Sequence, residues 1–289
     1  MTTKGIILAG GSGTRLYPLT LVTNKHLLPI FDKPMIYYPL TTLMLCGIDD
    51  ILIISTPADV PLFEKLLGDG SQWGIRLSYA CQSEPEGIPQ AFTIGRDFID
   101  GNQVALILGD NFFFGHGLPE QARNAINNNV GATIFSHHVN DPQRFGVISF
   151  GTDGSIKGID EKPAHPKSNH AITGLYLYDC DVVERVSTLK PSARGELEIT
   201  DLIMTYLNEN RLQVEMLGRG ITWLDVGTPD ALAKATNYVH SIENLQYLRI
   251  ACPEEVAYQS GFINSDQLSA LAEPIKSSPY GAYLLSLLE

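Results

Sequence analysis

Short apolar runs alternate with amphipathic stretches along the first two-thirds of the chain. Residues 4–9, 51–55, 77–81, 104–108 and 133–137 are apolar segments of strand length, the pattern of strands buried on both faces. Residues 35–45, 60–67, 90–98 and 118–128, lying between them, carry helical patterns. This rhythm predicts βαβ units around a mixed, mostly parallel sheet, an α/β fold. From about residue 145 strands crowd together at 146–150, 155–160 and 171–178, with Asp153-Gly154 as a hairpin turn between the first two. Residues 198–208 then read as a helix, and 213–217 and 222–224 as strands. After Thr228 only helices are predicted, over 229–248, 253–259, 266–271 and 280–288, the first with Pro229 and Asp230 in its opening turn. The expected organisation is an α/β core over 1–229 and a small helical element over 230–289.

Composition narrows the class of partner. With 44% hydrophobic and 18% charged residues in 289, the chain is an ordinary globular one. Its formal net charge of −12 argues against a nucleic-acid surface, which needs Lys and Arg to neutralise phosphates. No apolar run approaches the ~20 residues that span a bilayer, and the stretch 5–9 is too short for a signal-peptide core. Cys46, Cys81, Cys180 and Cys252 form no C-x-x-C pair and lie in apolar or helical contexts. Buried free thiols in a reducing cytoplasm are therefore expected.

The chemistry begins directly after the first strand, at Gly10-Gly11-Ser12-Gly13-Thr14-Arg15-Leu16. Glycines let backbone N–H groups approach a phosphate and form an anion nest, and ligands gather at the carboxyl ends of parallel strands. The loop fails the dinucleotide fingerprint, because Leu16 stands where a third glycine is needed, and it fails the P-loop, because no Lys-Ser or Lys-Thr follows. What remains is a phosphate loop with its own cation, Arg15, and Lys25 ten residues on. Seven histidines form no H-E-x-x-H, no G-x-S-x-G accompanies them, and the adjacent His137-His138 would point to opposite faces of a strand, so structural or surface roles are expected for all of them.

Those residues, with Pro18-Leu19-Thr20, Leu27-Leu28-Pro29 and Asp32-Lys33-Pro34-Met35, resemble the signature of the sugar-nucleotide pyrophosphorylases. Leu108-Gly109-Asp110-Asn111, Glu161-Lys162-Pro163, Gly195-Glu196-Leu197-Glu198 and Trp223-Leu224-Asp225-Val226-Gly227 extend the resemblance across nearly the whole chain, to the family's thymidylyltransferase branch. The resemblance implies a Rossmann-like nucleotidyltransferase core. It also implies attack by a hexose 1-phosphate on the α-phosphorus of dTTP, with dTDP-glucose as the expected product. Gly10, Gly11, Gly13 and Thr14 would cradle the triphosphate, with Arg15 on the leaving pyrophosphate and Lys25 near the reacting centre. Lys162 would hold the sugar phosphate, and Gln82 and Gly87 the base. Asn111, Gly146, Glu161 and Ile172 would line the sugar side. Asp110 and Asp225 would hold Mg2+, a hard ion suited to carboxylates; each Asp alone is more ordinarily a strand-end cap.

Several positions depart from the usual family pattern: Asn24 before the lysine, Ile88-Pro89 after the base-side glycine, and Phe145 where Tyr is common. They leave open an amino-sugar 1-phosphate or UTP as alternative substrates. The C-terminal helices resemble those that build a tetramer and a separate regulatory dTDP-sugar site, where Gln259 and Phe114 replace a usual Arg and Tyr. Weakened feedback inhibition is the expectation. An NAD-dependent oxidoreductase and a non-catalytic sensing subunit are the other classes weighed. The first lacks its glycine, and the second has no need of Arg15, Lys25, Asp110, Lys162 and Asp225 together.

Overall fold

The computed structural model describes residues 2–289. Its strands are β1 (Thr3–Leu8), β2 (Pro29–Ile30), β3 (Lys33–Pro34), β4 (Asp50–Ser55), β5 (Arg76–Cys81), β6 (Gln103–Leu108), β7 (Asn111–Phe114), β8 (Ala132–His138), β9 (Gly146–Phe150), β10 (Ile156–Glu161), β11 (His170–Tyr178), β12 (Leu212–Met216) and β13 (Thr222–Asp225). Its α-helices are α1 (Tyr37–Leu45), α2 (Val60–Leu67), α3 (Gln90–Ile94), α4 (Arg96–Ile99), α5 (Leu118–Asn128), α6 (Val182–Thr188), α7 (Ile199–Asn208), α8 (Pro229–Gln246), α9 (Pro253–Gln259), α10 (Ser265–Ala272) and α11 (Pro279–Ser286).

Nine strands form one mixed sheet, in the order β10-β9-β11-β6-β1-β4-β5, with β8 beside β11 and β12 beside β8. β6, β1, β4 and β5 are parallel neighbours, whereas β11 is antiparallel to β6, β8 and β9. Strand alternation sorts the core into two layers. Ile6, Leu52 and Leu106 face a layer shared with Phe92, Ile99, Val182, Leu202 and Tyr206, from α3, α4, α6 and α7. Ile7, Ile53 and Ile107 face α1, α2 and α5, and Val256, Ala257, Leu268 and Leu284 of α9–α11 join that same layer. Each fully buried Ile, Leu, Val or Phe among them contributes about 1.5–3 kcal/mol. The predicted helix over 90–98 breaks at Gly95, where a Cβ would lie only 3.1 Å from Ile6 and 3.2 Å from Leu52. The break lets the chain press close to the sheet.

α8 starts where the proline signal predicts, with the Thr228 side chain accepting from the Ala231 amide at 3.3 Å. Its Ala235 and Val239 pack on Ile30, Tyr38, Phe112 and Val226. All four cysteines are free, but only Cys46 and Cys252 are buried. Cys81 is exposed because β5 is the sheet's edge, and Cys180 because it lies in the turn before α6.

The sheet is continuous on one side of β11 and forked on the other. Along one edge β11 pairs with β8, and between Ile172 and Tyr176 it takes four steps against two on β8. Along the other edge Leu175–Tyr178 pairs with β6, while Ala171 pairs with Val147 of β9. Between these ladders Thr173 and Gly174 bulge past the carboxyl end of β6, and a cleft opens there.

Candidate active site

The cleft has a volume of about 300 Å3 and is lined by Arg15, Asp110, Asn111, Phe145, Gly146, Glu161, Lys162, Ile172, Trp223 and Asp225, among others. Its floor is the end of β6. Asp110 follows that strand, and Asn111 opens β7, which pairs with β13 so that Asn111 lies opposite Asp225. The Val226 amide donates to the Asp110 carbonyl at 2.9 Å and completes the junction. A short, long-range ribbon thus carries both carboxylates to one place.

Asn111 is buried and its Oδ1 accepts twice, from the Gly174 amide at 2.9 Å and from Trp223 Nε1 at 2.6 Å. Its Nδ2 donates to Asp110 Oδ1 at 3.2 Å, which leaves one amide hydrogen to offer a ligand. Gly174 is required by this contact, since a Cβ there would meet Asn111 Oδ1 at 2.5 Å.

On the cation side, Lys25 Nζ stands 2.6 Å from Asp110 Oδ2. Burial would raise the Asp110 carboxyl, but Lys25 and then His26 hold it well below the usual carboxylate range. Asp225 behaves oppositely. Burial and then the field of Asp110 push it up to about 6, against the pull of Arg15, Lys25 and Arg144. Arg15 closes over Gly227, where a Cβ would lie 2.8 Å from its Nη2.

The glycine loop turns as its sequence suggests, with Gly11 and Gly13 at φ +98° and +59°, and Thr14 opening a short 3-10 turn. Gly10 abuts Gln82, whose Oε1 would be 2.5 Å from a Cβ at position 10. Gly87, at φ +108°, bridges to Leu197 and has no room for a side chain, because a Cβ there would lie 2.1 Å from the Leu197 carbonyl oxygen. Opposite, Glu161 pairs in register with Gly146, and a Cβ on Gly146 would lie 3.1 Å from Thr200, 3.3 Å from Ile172 and 3.6 Å from Glu161. Lys162 adopts φ +42°, uncommon for a side-chain-bearing residue, and its ammonium is 3.2 Å from Glu161. The polar groups therefore fall into two sets: Arg15 and the two aspartates, with Lys25 bonded to Asp110, and Glu161 with Lys162.

Residues 4–242 match the nucleotidyl transferase family. The chain belongs to that family. Among its relatives, a glucose-1-phosphate thymidylyltransferase of Xanthomonas campestris pv. campestris is 54% identical over 98% of this chain and 96% of its own length. One of Mycobacterium tuberculosis is 52% identical over 99% of both chains. A solved structure from Bacillus anthracis, provisionally assigned as a glucose-1-phosphate thymidylyltransferase and holding sucrose, superposes with a TM-score of 0.76 at 42% identity. It covers 82% of this chain and 95% of that one. A UDP-glucose pyrophosphorylase at 24% identity and TM-score 0.73 shares the fold.

For this nucleotidyl transferase, the structure adds residues that the sequence does not single out. Arg144 approaches Asp225 Oδ2 at 3.5 Å and lies over the Phe145 ring, which in turn packs 5.0 Å from Trp223. Arg194, from the loop before α7, reaches Glu161 at 3.5 Å and Glu198 at 2.7 Å. His26 is buried beneath Gly109, and burial, then Lys25, lower its pKa to about 3. Asn24 explains its own departure: its Oδ1 accepts from the His26 amide at 2.8 Å and its Nδ2 donates to Ala9 and Asp59. Arg144, Arg194 and His26 each have a marked sequence neighbour, Phe145 beside Arg144, the run Gly195–Glu198 beside Arg194, and Lys25 with Leu27–Pro29 around His26, but none of the three is itself singled out.

Proposed function

We propose that the chain transfers a thymidylyl group from dTTP to glucose 1-phosphate, giving dTDP-glucose and pyrophosphate. The observation that carries this is near-full-length identity of about half to curated glucose-1-phosphate thymidylyltransferases. The cleft's chemistry supports it. Two anionic substrates repel each other, and the cleft supplies cations in two sets, Arg15 in the lining with Lys25 bonded to its Asp110, and Lys162 beside Glu161.

In this reading a sugar-phosphate oxygen attacks the α-phosphorus in line, and the pyrophosphate oxygen leaves with the bonding pair. Such a transfer depends on alignment and charge neutralisation more than on covalent help. Gly10, Gly11, Gly13 and Thr14 hold the triphosphate by backbone groups; Arg15 neutralises the leaving pyrophosphate; Lys25 and Lys162 orient the two phosphates. Gln82 and Gly87 receive the base, and Asn111, Gly146, Glu161 and Ile172 the sugar.

Mg2+ is the proposed cofactor, and the donor set fits it. Asp110 and Asp225 are two hard oxygen donors brought to one place, Asp225 opposite Asn111 and Asp110 held by the Val226 amide, and the raised Asp225 carboxyl marks a place where a cation relieves repulsion. Mg2+ keeps waters and phosphate oxygens, so one or two protein carboxylates suffice to hold it. When bound, the ion supplies charge neutralisation at the phosphates.

Residues 230–289 are proposed as the assembly element of a homotetramer and as part of a regulatory dTDP-sugar site; exposed Leu245, Tyr247 and Ile275 on it support an interface. The proposed location is the cytoplasm. No helix among the described residues is long and apolar enough to cross a membrane. The acidic charge supports small-molecule partners over nucleic acid.

The test is pyrophosphate release with Mg2+, comparing dTTP with UTP and glucose 1-phosphate with amino-sugar 1-phosphates. Fastest release with dTTP and glucose 1-phosphate is expected. Preference for an amino sugar would reassign the acceptor, and silence across the panel would overturn the proposal.

A further inference from the structure

Four charges meet where the N-terminal β2–β3 hairpin touches the C-terminal helices. Lys33, only 2% exposed, gives its ammonium to the Asp32 carboxylate and to Glu243 Oε1 at 3.0 Å. Glu243, near the end of α8, also accepts from Arg249 Nη1 at 2.9 Å and from the Ile250 amide at 2.8 Å. Arg249 closes the ring on Asp32 Oδ2 at 2.8 Å. At the hairpin tip the Phe31 ring meets His240 at 4.9 Å, and the Phe31 amide donates to Thr236 Oγ1 at 3.4 Å. Thr236, His240 and Glu243 are spaced to share one face of α8, so a single stripe of that helix grips the hairpin.

A neutral ring of ions, Lys33 and Glu243 buried and Asp32 and Arg249 partly exposed, is a poor source of stability, because desolvation of the buried pair cancels most of the attraction. α8 already docks through Ala235 and Val239. What the ring adds is position, and the hairpin it fixes leads straight to the cleft. The Met35 amide donates to the Leu28 carbonyl and the Ile36 amide to the His26 carbonyl, each at 2.9 Å, so the hairpin base is the turn Lys25–Leu27 itself. Lys25 is the residue whose ammonium sits 2.6 Å from Asp110.

We propose that the Asp32–Lys33–Glu243–Arg249 ring is a positioning device through which the C-terminal helices hold Lys25 on Asp110. Lys33, Glu243 and Arg249 are positioning residues: they touch no substrate and act through the hairpin. The catalytic consequence rests on the proposed role of Lys25 at the triphosphate; the geometric one does not.

The experiment uses the full chain carrying Arg249→Gln or Lys33→Met, with melting curves to establish that each is folded. The acylation rate of the Lys25 amine is measured without substrates by peptide mass spectrometry, and Michaelis constants are measured separately for dTTP and glucose 1-phosphate. Lys25 is expected to label severalfold faster in the variants. Turnover should fall roughly tenfold, since small misplacements of reacting groups are costly, and the Michaelis constant should rise for dTTP but not for glucose 1-phosphate. Arg249→Lys should restore part of each change. If Lys33→Met does not fold, Arg249→Gln decides, because Arg249 lies on the ring's more exposed side, at 21% against 2% for Lys33. Unchanged Lys25 labelling in a folded variant, or equal rises in both Michaelis constants, would overturn the proposal. Faster labelling with unaltered dTTP kinetics would sustain the positioning device and remove Lys25 from the triphosphate site.

Discussion

The Val226 amide donates to the Asp110 carbonyl at 2.9 Å, and this bond joins two carboxylates that lie 115 positions apart in sequence, 225 minus 110. Asp110 is held ionised by Lys25, whereas Asp225 carries the electrostatic strain of the pair. Replacing either with Ala should lower turnover about a thousandfold, the scale of losing several kcal/mol of metal-assisted charge stabilisation, with the fold retained. Pyrophosphate release across a Mg2+ titration, together with circular dichroism, measures both effects. Full activity of either variant at limiting Mg2+ would sink the metal assignment.

Arg15→Ala should act on the chemical step, reducing turnover roughly a hundredfold, as expected for loss of one preorganised charge at a leaving group. The Michaelis constant for glucose 1-phosphate should hardly change. Steady-state kinetics with both substrates varied separates the two. Unchanged turnover with only a raised sugar Michaelis constant contradicts the placement.

Two neighbouring groups give the substrate-free protein opposite pH dependences. His26 titrates normally at 6.5 and is lowered to about 3 in the fold, chiefly by burial. Its contribution to stability is full above pH 6.5 and is lost as pH falls toward 3. Asp225 is raised from 3.8 to about 6, chiefly by burial, so its contribution is full below 3.8 and is lost as pH rises through 6. Melting temperature against pH should therefore gain a steeper acid decline in Asp225→Asn and a shallower one in His26→Gln. Parallel profiles for all three proteins would refute the assignment.

Gly174→Ala should destabilise the protein by about 1–3 kcal/mol, the usual cost of overpacking a full site. The added methyl has to displace Asn111 Oδ1 and so disturbs the Trp223 bond as well. Chemical denaturation gives the first effect, and a raised Michaelis constant for the sugar phosphate gives the second. A stable variant with unaltered sugar kinetics would show that Asn111 does not depend on this contact.

Local pattern is enough wherever an element's partner does not matter. α2, α5, α9 and β9 run over the residues their periodicity predicts, and the apolar runs form the parallel strands. β7 escapes such reading because Asn111–Phe114 is a strand only by pairing with β13, far along the chain, and its three aromatics look like generic core. α6, over Val182–Thr188, is too short to set up a clear helical period. In the cleft, the glycine loop and the aspartates have recognisable neighbours in sequence. Arg194 borders the recognisable run at Gly195, but neither it nor Arg144 is marked itself, since a surface-type cation becomes a site residue only when folding aims it at Asp225 or Glu161.

β11 belongs to both branches of the forked sheet: one edge segment is bound to β6 and the other to β9. The glycine loop and Asp110 hang from the parallel branch, whereas Gly146, Glu161 and Lys162 hang from the β9–β10 branch. On the proposed assignment of the site residues, the triphosphate is received on the parallel limb and the sugar phosphate largely on the other, with Asn111 at the junction. Changes on the β9–β10 limb can retune which acceptor is admitted while the donor's seat keeps its shape, a modularity built into the backbone before any side chain is chosen.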